Sequence, residues 1–158
     1  MSDARWFEVK SDIEAAIRHF GRSVELYRRG GFDAPGLDGY QAGMALMHSL
    51  QSAHTSLEGG LIRILAILDE ERPVGENWHA DLIKRVAAAL PGKRPPVLEG
   101  DLVSAAEETR RLRRQAFQNY HSFEVREATR TIRAAELLAA KLGSAVDRFR
   151  KIIDPPAA

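Results

Sequence analysis

Apolar residues recur along this chain at intervals of three, four and seven, the spacing that lines up side chains on one face of an α-helix. The first such stripe is Trp6, Ile13, Ile17, Phe20, Val24 and Tyr27. It predicts a helix from about Asp3 to Arg29, closed by Gly30-Gly31, because glycine accepts the left-handed conformation that ends a helix. After Pro35-Gly36 a second stripe, Met47, Leu50, His54, Leu57, Leu61, Ile64, Leu65 and Leu68, predicts a helix from Leu37 to Leu68 or Asp69. Gly59-Gly60 falls inside this stripe and predicts a kink or a close helix crossing, since each glycine weakens a helix by about 1 kcal/mol relative to alanine. A loop over 70–76 leads to a short third helix, Trp78 to Leu90, with Asn77 as its cap. The stiff connection Pro91–Pro96 is the clearest break in the chain. It is too short, and too closely flanked by amphipathic segments, to divide domains.

Asp101 is the expected cap of the fourth helix, whose inward side is Leu102, Ala106, Thr109, Leu112 and Ala116, with Tyr120 as a further candidate. The fifth, from Arg126 or Glu127 to Ile153, carries Ile132, Ala135, Leu138 or Ala139, Leu142, Ala145 or Val146, Phe149 and Ile152. No alternating β-branched run appears, and no Asn-Gly or Asp-Gly turn sits between apolar segments. The pattern predicts an all-α protein: an antiparallel bundle of four long helices plus one short helix, a single domain over residues 1–158.

Charge adds one local feature. Lys+Arg 23 against Asp+Glu 22 leaves a net of +1, so the chain is not coated with positive charge for non-specific nucleic-acid binding. The run Arg110-Arg111-Leu112-Arg113-Arg114 is nevertheless a basic patch. The absence of cysteine excludes disulfides, thiol nucleophiles and Cys-ligated zinc, and a cytoplasmic location is the expectation. No apolar run is long enough to span a bilayer, and the start, Met1–Trp6, does not read as a secretion signal. No P-loop, GxGxxG, HExxH or GxSxG motif is present. His48 and His54, six apart, fall on opposite helix faces, so neither a metal nor a cofactor is expected.

The densest chemistry lies at Thr109–Phe123. Arg114 and His121 are seven apart and fall within about 20° of each other on a helix. A guanidinium that holds a phosphate beside an imidazole that moves a proton is a workable pair for cutting RNA. Gln118 and Asn119 are candidates to orient phosphate or base, Tyr120 to stack on a base, and Arg110, Arg111 and Arg113 to draw the strand in. Blander roles stand beside these. Arg110 and Arg111 can pair with Glu107, Glu108 or solvent; Tyr120 and His54 can be core residues; Trp78 reads as a packing anchor with His79 its exposed neighbour. Glu58, one position off the apolar seam, allows a buried partner such as an arginine and is not read as catalytic.

Three segments carry a resemblance: Gln51–Glu58 with the apolar helix after it, the loop Asp69–Leu82 containing Pro73-Val74-Gly75-Glu76-Asn77-Trp78-His79, and Arg110–Val125. In this order and spacing the chain resembles the HepT-like branch of the HEPN superfamily over about residues 40 to 153. The resemblance implies a small all-α ribonuclease toxin that needs no metal, paired with a minimal nucleotidyltransferase antitoxin and working as a homodimer with the two fourth helices across a cleft. The family's signature is an arginine, four to six residues, then a histidine, often followed by any residue and a tyrosine; Arg114 and His121 satisfy the first part with six between. Two departures stand out. When Phe123–Val125 is aligned with the family's following segment, Asn119 takes the usual histidine position and His121 the tyrosine position. The residue two after His121 is Phe123, so the nucleotide attachment seen on the tyrosine of some members has no matching position here. Either the pair has shifted along the helix, or the site is degraded and the protein binds without cutting. The readings that follow are an RNA-cleaving toxin subunit, a non-catalytic helical binding module supporting a nucleotidyltransferase, or a plain dimeric scaffold.

Overall fold

The first helix, α1 (Asp3–Arg29), buries Trp6, Val9, Ile13, Ala16, Phe20 and Val24 along one side. These positions step by three or four, so a single face meets the core and charged residues fill the other. The structure, a computed structural model, describes residues 3–118 and 128–157. Within them lie α2 (Leu37–Ile67), α3 (Trp78–Ala87), α4 (Asp101–Gln118) and α5 (Thr129–Ile153). The described residues are all-helical, with no strand beyond one isolated bridge between Leu90 and Arg94. None of the described helices is long and apolar enough to cross a membrane.

The core is assembled on α2, which packs against α1 and also meets α3 and α4, while α5 packs against α1 and α4. Leu46, Leu50, Leu57, Leu61, Ile64 and Leu65 of α2 are buried with Leu82, Ile83 and Val86 of α3 and Ala135, Leu138 and Leu142 of α5. At Gly60, α1 and α2 approach each other closely. A Cβ added there would stand 2.7 Å from Ile13 Cδ1, and one at Gly59 would stand 3.2 Å from Asp12 Oδ2. The close crossing expected of the glycine pair is therefore present, and Arg63 binds Asp12 (2.8 Å) and Glu8 (2.7 Å) beside it.

Several boundaries differ from expectation for identifiable reasons. α2 ends at Ile67 because Asp69 takes a left-handed conformation (φ 56°). The N–H groups of Asp69 and Glu70 then close onto the carbonyls of Ala66 and Leu65, a Schellman ending built on aspartate instead of glycine. α3 stops at Ala87 because its last carbonyls have other partners: Val86 accepts from Val97, and Arg85 and Ala88 accept from the Arg94 guanidinium. The Asn77 side chain makes no capping bond, and Asp101 lies inside the first turn of α4, with Gly100 before it accepting from Val103 and Ser104. Ile152, expected on the seam of α5, is exposed.

The proline-rich connection folds around Arg94, whose backbone and that of Leu90 exchange two hydrogen bonds of 2.9 Å. Its buried guanidinium uses all five N–H donors. Two go to Glu70 (2.5 and 3.0 Å), two to Ala88 O and Pro95 O, and one to Arg85 O.

Candidate functional site

The site is built on the register of α4. Thr109 and Leu112 are buried against the core. Three-residue spacing then places Arg110 and Arg113 on the half-buried shoulder, and Arg111 and Arg114 on the exposed side. Arg110 binds Glu107 through Nε (3.2 Å) and a terminal nitrogen (2.9 Å), and Arg111 lies 3.8 Å from Glu108. Both glutamate partners were anticipated from the sequence. Arg113 points inward, with one terminal nitrogen 2.6 Å from Glu58 Oε1. Arg114 is exposed and forms no ion pair with another described residue.

Glu58 is the arginine's buried partner that its place beside the apolar seam allowed, and it gathers more than an arginine. His79 Nδ1 lies 2.5 Å from Glu58 Oε2, and His54 Nε2 lies 3.5 Å from that same oxygen. His54, on the apolar face of α2, shares a hydrogen bond of 2.8 Å between Nδ1 and Thr109 Oγ1, and the Thr109 hydroxyl also lies 3.1 Å from Ala106 O. His54 Nε2 is buried facing that Glu58 oxygen at 3.5 Å, the outer limit of a hydrogen bond. Burial pushes the His54 imidazole below its ordinary range, against the opposing pull of Glu58, so it is neutral. Burial also opposes the charge on Glu58, but His54, the His79 bond and Arg113 outweigh it and hold the carboxyl below the usual range. The centre is thus an ionised, buried carboxylate clasped by three basic side chains from α2, α3 and α4.

Trp78 starts α3, half-buried against the core, with its N–H bonded to Gly75 O (3.3 Å) and the Arg72 guanidinium 5.2 Å from its ring centre. The His79 ring stacks on it at 3.6 Å between centres. His79 is one-third exposed, not merely the outer neighbour of an anchor, and faces a cleft of about 560 Å³. Glu76, Asn77, His79 and Ala80 form one wall and Arg110, Arg113 and Arg114 the other. A larger hollow of about 650 Å³ at the end of α5 is lined by Asp147, Arg150, Lys151, Asp154 and the residues after it, and brings no imidazole to its surface.

The structure therefore brings Arg110, Arg113 and Arg114 together and adds His79 and Glu58, which sequence reasoning did not place in the site. Arg111 stands on the outer side of α4. Gln118 is the last residue of the α4 backbone. Asn119, Tyr120 and His121 lie outside the described residues. The signal for His79 was faint: an imidazole directly after an aromatic anchor, whose carboxylate partner lies 21 residues earlier.

A sequence profile for the family described as HepT-like protein matches residues 45–153, the span that holds α3, α4, α5 and every residue of this centre. No curated protein and no solved structure gives a match.

Proposed function

This chain belongs to the HepT-like family of the HEPN superfamily, and from that premise we propose that it is the RNA-cleaving subunit of a toxin–antitoxin pair, acting without a metal ion. The observation that carries the reading is the cleft between α3 and α4, where the Arg114 guanidinium, without an ion pair among the described residues, stands beside Arg110, Arg113 and the His79 imidazole. In this reading Arg114 holds the scissile phosphate and stabilises the charge that builds on it. His121, seven positions on, moves a proton at the 2′-hydroxyl or the leaving oxygen. Gln118, Asn119 and Tyr120 contact the strand, which is single-stranded so that its bases can splay. A homodimer sets two such clusters against one strand, and a nucleotidyltransferase-type partner holds the subunit inactive.

The test is cleavage of single-stranded RNA by purified protein in chelator. Arg114→Ala and His121→Ala, each with an unchanged circular dichroism spectrum, lower the rate by about 10²- to 10⁴-fold, the usual worth of a general acid or base. Full activity in His121→Ala would sink the mechanism. Light scattering that finds a monomer at micromolar concentration would count against the paired clusters.

One observation favours a second reading, a non-catalytic module that binds and supports a nucleotidyltransferase. Three arginines of the run already have glutamate partners, and Asn119 occupies the family's histidine position. Wild-type protein without activity, together with an active Asn119→His variant, decides for that reading.

A further inference from the structure

We infer that His79 is a catalytic proton acceptor in the α3–α4 cleft and that buried Glu58 is its positioning residue. The inference rests on the ribonuclease reading and assigns the step which that reading leaves open between two atoms.

Proton bookkeeping supplies the warrant. An ionised carboxylate only accepts, so the 2.5 Å contact from Glu58 Oε2 requires a proton on His79 Nδ1. Arg113 also lies 3.2 Å from that Nδ1, but its N–H cannot donate to a nitrogen already carrying hydrogen. Its proton goes to Glu58 Oε1 at 2.6 Å. Neutral His79 is thereby held as the Nδ1–H tautomer, with the lone pair on Nε2, and Nε2 has no partner among the described residues. A carboxylate that fixes one ring nitrogen so that the other can take a proton is the general arrangement of an activated base. Stacking on Trp78 holds the ring plane.

The step balances as follows. His79 Nε2 takes the proton of a ribose 2′-hydroxyl, and the freed electron pair forms a bond from the 2′-oxygen to phosphorus. The bond from phosphorus to the 5′-oxygen breaks, and that oxygen takes a proton from water. The products are a 2′,3′-cyclic phosphate and a 5′-hydroxyl. Arg114 lines the same cleft, as the phosphate requires.

Charged and titratable groups surround the imidazole on each packed element: Glu58 and His54 from α2, Arg110, Arg113 and Arg114 from α4, and Glu76 and Arg72 from the preceding loop.

The experiment follows cleavage of a short single-stranded RNA in chelator across about pH 5 to 8, where a histidine titrates. It compares wild type with His79→Gln, His79→Gly, Glu58→Gln and His121→Ala, with folding checked for each. His79→Gln loses about 10²- to 10⁴-fold and its acidic limb. His79→Gly regains rate with added imidazole, and Glu58→Gln lowers the rate while the His79 ring proton ceases to be held on Nδ1 in nitrogen-15 spectra. A merely structural clamp would produce neither the rescue nor the change of tautomer, and either absence overturns the inference. Wild-type rates in His79→Gln with an inactive His121→Ala overturn this inference and leave the ribonuclease standing. No cleavage by wild type overturns both. Nitrogen-15 shifts of His79 give a reading apart from activity: a proton on Nε2 instead of Nδ1 overturns the assignment of the base.

Discussion

Arg94→Ala is a substitution outside the cleft for which the structure predicts a large loss of stability. It removes a side chain 1% exposed and leaves Glu70, 14% exposed, as a carboxylate without its cation. The carbonyls of Arg85, Ala88 and Pro95 lose their guanidinium donors with it. Removing one partner of a buried pair costs about 3–5 kcal/mol, because the other charge stays behind. Against a total stability of roughly 5–15 kcal/mol, that is about a fifth or more of the whole. At about 2–4 °C per kcal/mol for a chain of this size, the midpoint falls by roughly 6–20 °C. Urea and thermal unfolding followed by helical circular dichroism measure it. Glu70→Ala behaves similarly, and the double variant costs less than the sum, since each single change strands the other group. Arg94→Lys does not restore stability, because an ammonium cannot reproduce five donors in a planar fork. Arg22→Ala is the control: its pair with Glu25 is about two-thirds exposed and contributes no more than about 0.5 kcal/mol. A loss below about 1 kcal/mol in Arg94→Ala would refute the reasoning.

Two further predictions concern the core. His54 is neutral in the fold and takes up a proton near pH 6.5 once unfolded, so stability is fully present above that pH and is lost as pH falls below it. Glu58, with its carboxyl held low, adds a further loss below about pH 4.3. Unfolding midpoints at several pH values therefore show a decline from about pH 6.5, and His54→Leu flattens its upper part; an unchanged slope in that variant would assign the decline elsewhere. At the α1–α2 crossing, Gly60→Leu collides with Ile13 and costs about 1–3 kcal/mol. Gly43→Ala, in open space on the same helix, gains up to about 1 kcal/mol, and denaturant midpoints moving in opposite directions are the expected result.

How much of this was legible in the sequence depends on range. Helices α1, α2, α4 and α5 announced themselves through periodic apolar residues, because burial acts on every turn and repeats its signature. The ends were less legible. Asp69 in a left-handed conformation and the early stop of α3 depend on partners that periodicity does not register, such as Val97 for Val86. The site divides the same way. Arg110 and Arg111 find Glu107 and Glu108 three residues back, a helical neighbourhood visible in one dimension. Glu58 joins Arg113 across 55 positions and His79 across 21, contacts that only the packing of three helices creates. Arg94 read as part of a stiff linker and is instead the buried hub of that linker.

The division of the arginine run has a consequence for counterion release. A single strand sheds about 0.7 of a condensed cation for each phosphate neutralised. Four free guanidinium groups would give a salt exponent of roughly 3. Arg110, Arg111 and Arg113 already have carboxylate partners, and when a phosphate displaces a glutamate, the glutamate draws a cation back. On the ribonuclease reading Arg114 is then the contributor within this run, and the exponent falls to roughly 0.7. On that reading, the binding of a single strand at this run therefore depends only weakly on ionic strength.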